Sequence, residues 1–94
     1  MDNRTIAQRL LQAAHSLEEK HASFYRVQAY RRAAETILGL DRPVEDLITG
    51  ADPKALRRLP GIGPKLSTKI ETLVRAGEIA SLKEEESTLI ATAT

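Results

Sequence analysis

Apolar residues return every three or four positions near the start of the chain, as Ile6, Leu10, Ala13, Ala14 and Leu17, with polar residues filling the intervals. That is the period of one face of an α-helix. With Asp2 or Asn3 as cap, it predicts a first helix over about residues 4–19. A second helix opens after Ser23 as cap and runs to Leu38, where Gly39 closes it. Val27, Tyr30, Ala34, Ile37 and Leu38 share its apolar side, while Arg26, Arg31 and Arg32 point elsewhere. Asp41 followed by Pro43 starts a short third helix ending near Thr49 and Gly50, and Asp52-Pro53 repeats the device for a fourth. The fourth stops by Leu59, because Pro60 disfavours helical geometry in the residue before it.

Pro64 opens a fifth helix that reaches Ala76, with Gly77 as its terminator. Leu66, Ile70, Leu73 and Val74 form its buried stripe, which leaves Lys65, Lys69 and Thr72 on a wetter face. Ser81-Leu82-Lys83-Glu84 reads as a capping box for a final turn or two, and residues 87–94 read as a disordered tail. No segment alternates apolar and polar residues as a strand does, and every connection is short. The expected architecture is therefore all-α, a compact bundle of four to five short helices in a single domain over residues 1–86.

Composition narrows the function classes. The chain has 94 residues, 41% of them hydrophobic and 29% charged, which suits one modest soluble core. It has no cysteine, so disulfides, thiolate nucleophiles and cysteine-based metal sites are excluded together. His15 and His21 lack the companions that a metal site needs, and no metal is expected. Apolar runs are only a few residues long, and Asp2, Arg4 and Arg9 interrupt any signal-like opening. The expectation is a cytoplasmic protein with no membrane partner, associated with the nucleoid if bacterial.

Net charge is only +1, but its distribution is uneven. Residues 54–76 carry Lys54, Arg57, Arg58, Lys65, Lys69 and Arg75 against Glu71 alone, a local balance of +5. Residues 77–94 balance at −3, where Glu84, Glu85 and Glu86 read as a solvated tail. The basic segment contains LPGIGPK, residues 59–65. Gly61 and Gly63 permit positive backbone dihedrals and close approach of another molecule to the main chain. Pro64 joins the turn directly to a helix N-terminus, whose free N–H groups and positive dipole end favour an anion such as phosphate. Ile62, between the glycines, is an apolar peg that holds the turn on the core.

Glycine turns also serve as plain helix–helix connections. The coincidence of the turn, the helix start, lysines at i and i+4 and the basic surroundings points to phosphate. A P-loop is excluded, since neither GxxxxGK[ST] nor GxGxxG can be completed and no strand precedes the turn.

LRRLPGIGPKLSTKIETLVRAGEI resembles a helix-hairpin-helix DNA-binding motif, with the motif proper at about residues 53–76. FYRVQAYRRAAETI resembles the second helix of the N-terminal, lyase-type domain of family X DNA polymerases, the DNA polymerase beta-like group. The resemblance as a whole spans about residues 3–82. The resemblance implies a small all-helical domain that binds gapped or single-stranded DNA and a 5′ phosphate. In several members the domain also removes an abasic sugar-phosphate through a lysine Schiff base. By this resemblance Lys69 aligns with the nucleophile, Lys65 with a phosphate-binding lysine and Tyr30 with a tyrosine of the same pocket. Arg26 stands where a lysine contacts the 5′ phosphate and keeps the charge.

Departures are equally specific. Tyr25 replaces a histidine that can stack on a base, Ser81 replaces a lysine of the phosphate pocket, and Ser67 stands where alanine is common. No palm domain, metal-binding carboxylate pair or nucleotide site is present, so polymerase activity is not expected.

The main expectation is a non-enzymatic, sequence-nonspecific DNA-binding module in repair or processing. Its contacts are Gly61, Ile62, Gly63, Lys65, Lys69, Arg57, Arg58, Arg26, Tyr30 and Arg31. Two alternatives stay open, an abasic-site or 5′-deoxyribose-phosphate lyase using Lys69 and a protein–protein adaptor. No cofactor is expected, although a monovalent cation on the hairpin backbone is compatible with the turn. The expected partners are DNA, with gapped or 5′-phosphate ends, and a larger repair protein.

Overall fold

The structure is a computed structural model and describes residues 1–76. Its order is α1 (Asn3–Glu19), α2 (Phe24–Leu38), α3 (Val44–Thr49), a 3₁₀ turn (Leu56–Arg58) and α4 (Pro64–Ala76). No strand occurs among the described residues, so the all-α class stands. Gly77, the capping box at residues 81–84 and the tail at residues 87–94 lie outside the described residues.

The two long helices form where the sequence pattern puts them. Asp2 caps α1 by accepting from the Thr5 N–H at 2.8 Å. Hydrogen bonds from Thr5, its side chain first and its backbone second, hold the Asp2 carboxyl below the ordinary carboxylate range. The helix ends in a Schellman motif, with Ala22 N–H donating to Leu17 C=O and His21 N–H to Glu18 C=O. His21 takes the left-handed position of that motif at φ 58°, a place usually filled by glycine. Ser23 caps α2 by accepting from Arg26 N–H.

Ile6, Ala7, Leu10, Ala13, Ala14 and Leu17 of α1 are buried together with Val27, Tyr30, Ala33, Ala34 and Ile37 of α2. Leu38, assigned to the apolar side from its spacing, is 57% exposed. It is the last residue of α2, and Leu40, beyond the turn at Gly39, packs on the core instead.

Two helix starts differ from the pattern. Asp41 does not cap α3. Pro43 is the N-cap and makes no side-chain bond, and the Val44 N–H donates instead to Asn3 Oδ1 at 2.8 Å. Asn3 Nδ2 also donates to Arg42 C=O at 2.8 Å, so the first residue of α1 closes the open end of α3.

The expected fourth helix is reduced to turns and one 3₁₀ turn. Its bonds run from i to i+3, Ala55 to Asp52, Arg58 to Ala55 and Leu59 to Leu56. Pro53 supplies no N–H, and Leu59 before Pro60 is extended at φ −68° and ψ 145°. The six residues between the two prolines are too few to repay α-helix nucleation.

α4 follows the expected bounds. Ile70 and Leu73 are fully buried, while Leu66 and Val74 pack half-buried at the edge. Val44 of α3, Leu56 of the 3₁₀ turn and Ile62 of the hairpin extend the same core, so α4 and the turn before it are seated on the α1–α2 pair. Among the described residues no helix is long and apolar enough to cross a membrane.

Candidate nucleic-acid interface

The turn between the 3₁₀ turn and α4 is held from inside. Ile62 is 3% exposed and belongs to the core, and its N–H donates to Leu59 C=O at 3.1 Å. Thr36 of α2 donates its hydroxyl to Pro60 C=O at 2.6 Å, tying the turn to the neighbouring helix. Gly61 has φ +77°, which favours glycine.

Gly63 is different. It does not take the positive φ that glycine permits, and a Cβ built on it would meet nothing within 4 Å. Its C=O accepts the first main-chain bond of α4, from Ser67 N–H at 2.9 Å. Pro64 follows without an N–H, so the amides of Lys65 and Leu66 are the free donors of this helix start. Open space at Gly63 therefore lies beside the positive end of α4.

One turn further along α4, Lys69 Nζ donates to Tyr30 Oη at 2.8 Å and lies 5.4 Å from the ring centroid. Tyr30 is 3% exposed, so its ring is core while its hydroxyl reaches the surface cation. Arg26, Ala29, Tyr30, Lys65, Leu66 and Lys69 line a shallow cavity there. A second depression on the flank of α4 shares Lys65 and Lys69 and adds Pro64, Thr68 and Thr72. No carboxylate of the described residues lies within ion-pair distance of Arg26, Lys65 or Lys69. The single acid of α4, Glu71, pairs with Arg75 at 2.8 Å and lines a different cavity with Ser67, Leu47, Leu56 and Pro53. α4 thus carries its unpaired cations on one flank and its neutralised pair on the other.

A helix-hairpin-helix domain model matches the chain over residues 1–79. The chain belongs to the helix-hairpin-helix domain family. Helix-hairpin-helix domains generally bind DNA. No match was found among curated proteins.

In this helix-hairpin-helix domain the first helix of the motif is only a 3₁₀ turn. The hairpin is nevertheless fixed, because Leu56 before it and Ile62 within it are both buried. Of the residues singled out in the sequence, Arg26, Tyr30, Lys65 and Lys69 converge on one cavity, and Gly61, Ile62 and Gly63 form the turn at the start of the same helix.

Arg57 is exposed on the 3₁₀ turn. Arg58 instead pairs with Asp52, and Arg31 pairs with Glu18, which lines a separate depression with His21, Ala22, Phe24 and Val27. Ser81 lies outside the described residues. Sequence spacing missed the approach of Arg32 to the hairpin, where a Cβ built on Gly61 would stand 2.6 Å from Arg32 Cγ. Arg32 and Thr36 stand four apart on α2 and so share a face, but spacing alone does not say which element docks there.

Proposed function

We propose that this helix-hairpin-helix domain binds DNA through backbone phosphates without reading base sequence, as a module of DNA repair or processing. The carrying observation is that Arg26, Lys65 and Lys69 share one cavity with no described carboxylate to neutralise them, on the helix that starts at the open main chain of Gly63. Free amides at a helix start and clustered cations favour an anion of phosphate type. Side chains of this set are too few and too short of a groove-filling element to read base edges.

Phe24 and Tyr25 support a preference for gapped or 5′-phosphate ends. They are 69% and 85% exposed, sit next to Arg26 and offer faces on which unpaired bases stack. The resemblance to the polymerase beta-like N-terminal domain supports the same substrate and an intracellular repair setting.

Lyase activity is a second reading, favoured by Lys69 being held by the Tyr30 hydroxyl inside the cationic cavity. In that reaction the neutral Lys69 amine adds to the C1′ aldehyde of an abasic sugar, and water leaves to form the imine. A base removes a C2′ proton, the electron pair forms the C2′–C3′ double bond, and the C3′ phosphate departs. Hydrolysis of the imine returns the amine. Lys65 and Arg26 would hold the 5′ phosphate.

A gapped duplex carrying a 5′ abasic sugar-phosphate tests both readings, with the wild type beside Lys69→Ala. Salt-sensitive binding with no borohydride-trapped adduct supports the module alone. A trapped adduct that Lys69→Ala abolishes adds the lyase. Absence of binding at low salt overturns both and leaves a protein-binding role for the hairpin.

A further inference from the structure

Gly61 is commonly explained by its backbone conformation, but its surroundings add a second constraint. A Cβ built there would stand 2.6 Å from Arg32 Cγ and 2.7 Å from Arg32 Cδ. The close approach that the missing side chain permits is therefore to the stem of Arg32, lying across the turn. One helical turn further on, Thr36 binds Pro60 C=O at 2.6 Å. Two residues of α2, four apart, thus hold two consecutive residues of the hairpin.

The charge at the end of that stem is free. Arg32 is exposed, and no described carboxylate pairs with it. Its neighbours behave otherwise, since Arg31 is taken by Glu18 and Arg58 by Asp52. The guanidinium begins one bond beyond Cδ, so packing of Cγ and Cδ on Gly61 places it beside the hairpin backbone. A stem already immobilised on the protein surface loses less rotamer freedom when an anion arrives, which favours binding. A guanidinium can also engage two phosphate oxygens at once.

We infer that Arg32 is a phosphate contact of the hairpin, supplied by α2 across Gly61 to the DNA strand that docks at Gly63 and α4. It deepens the DNA-binding reading above and rests on it. In this arrangement Gly63 is the position left bare for the ligand, and Gly61 is the position left bare for Arg32. DNA binding then draws on α2 at two positions, Arg26 at the cavity and Arg32 at the turn.

The test measures anisotropy of a labelled gapped duplex against salt for the full chain. It compares the wild type with Arg32→Met, which keeps an apolar stem over Gly61 and removes the charge, and with Arg32→Lys, which restores a charge. Arg9→Met removes an equal charge from an exposed site on α1 that does not contact Gly61. Thermal melting of each variant confirms folding, which these exposed substitutions leave intact.

The expected result is a loss of about fivefold at low salt for Arg32→Met, with the log–log salt slope shallower by about 0.7–0.9, the share of one phosphate. Arg32→Lys recovers the slope, and Arg9→Met leaves it within error. Wild-type binding with an unchanged slope in Arg32→Met overturns the assignment of Arg32 alone. So does an equal loss in Arg9→Met, which would mean that only net charge matters. Absence of wild-type binding overturns the DNA-binding reading and this inference with it.

Discussion

Gly61 and Gly63 look equivalent in the motif, yet their surroundings in the structure are opposite. At Gly61 an added methyl group meets the Arg32 stem at under 3 Å and is placed on a backbone at φ +77°. Left-handed geometry costs an L-residue about 1–2 kcal/mol, and moving the Arg32 stem adds to it, so Gly61→Ala should destabilise by about 2–3 kcal/mol. Gly63→Ala meets no atom within 4 Å. It exchanges a good N-cap for a poorer one, at about 0.5 kcal/mol. Binding should rank the other way per unit of stability lost, because the methyl group at Gly63 occupies the space through which a phosphate reaches the α4 amides. Chemical denaturation and DNA titration of the two variants check this. A Gly63→Ala protein that binds as the wild type does would show that the ligand does not approach there.

At the level of elements, α3 depends on a residue forty-one positions away. Its own N-cap is Pro43, which offers no side-chain acceptor, and the half-buried bond from Val44 N–H to Asn3 Oδ1 takes that place. Asn3→Ala should remove this bond and the one to Arg42 C=O, at a cost of about 1–2 kcal/mol. Hydrogen exchange should show the α3 amides losing protection ahead of the α1–α2 pair. Uniform loss across the chain would instead mean that α3 has no separate anchor.

α1, α2 and α4 were legible because each has a cap and a period that agree, namely Asp2 and the Ile6 to Leu17 stripe, Ser23 and the Val27 to Ile37 stripe, and Pro64 with Ile70 and Leu73. No fourth α-helix forms, because Asp52-Pro53 signals a start regardless of whether enough residues follow before the next proline. The positive φ of Gly61 and the burial of Ile62 are legible from local chemistry. The Asn3 clasp, the Arg32 contact and the pairing of Arg31 and Arg58 with acids are tertiary, and no spacing along the chain encodes them.

For the molecule as a whole, a net charge of +1 predicts almost no attraction for DNA, whereas the structure sorts the charges. Arg31, Arg58 and Arg75 are spent on Glu18, Asp52 and Glu71. Arg26, Arg57, Lys65 and Lys69 keep no described acid partner, and with Arg32 they surround the hairpin and the N-terminal half of α4. A surface of this kind should engage about four or five phosphates, which gives a log–log salt slope between about −3 and −4.5. Between about 50 and 200 mM salt the affinity should then fall roughly a hundredfold or more, while the protein's own thermal stability changes little, since its exposed ion pairs contribute little. A titration series across that range, with the slope taken from at least four salt concentrations, measures the number of phosphates directly. A slope shallower than about −1 would mean that the cations around the hairpin do not act together. DNA would then be the wrong ligand class for this surface, however well its geometry suits phosphate.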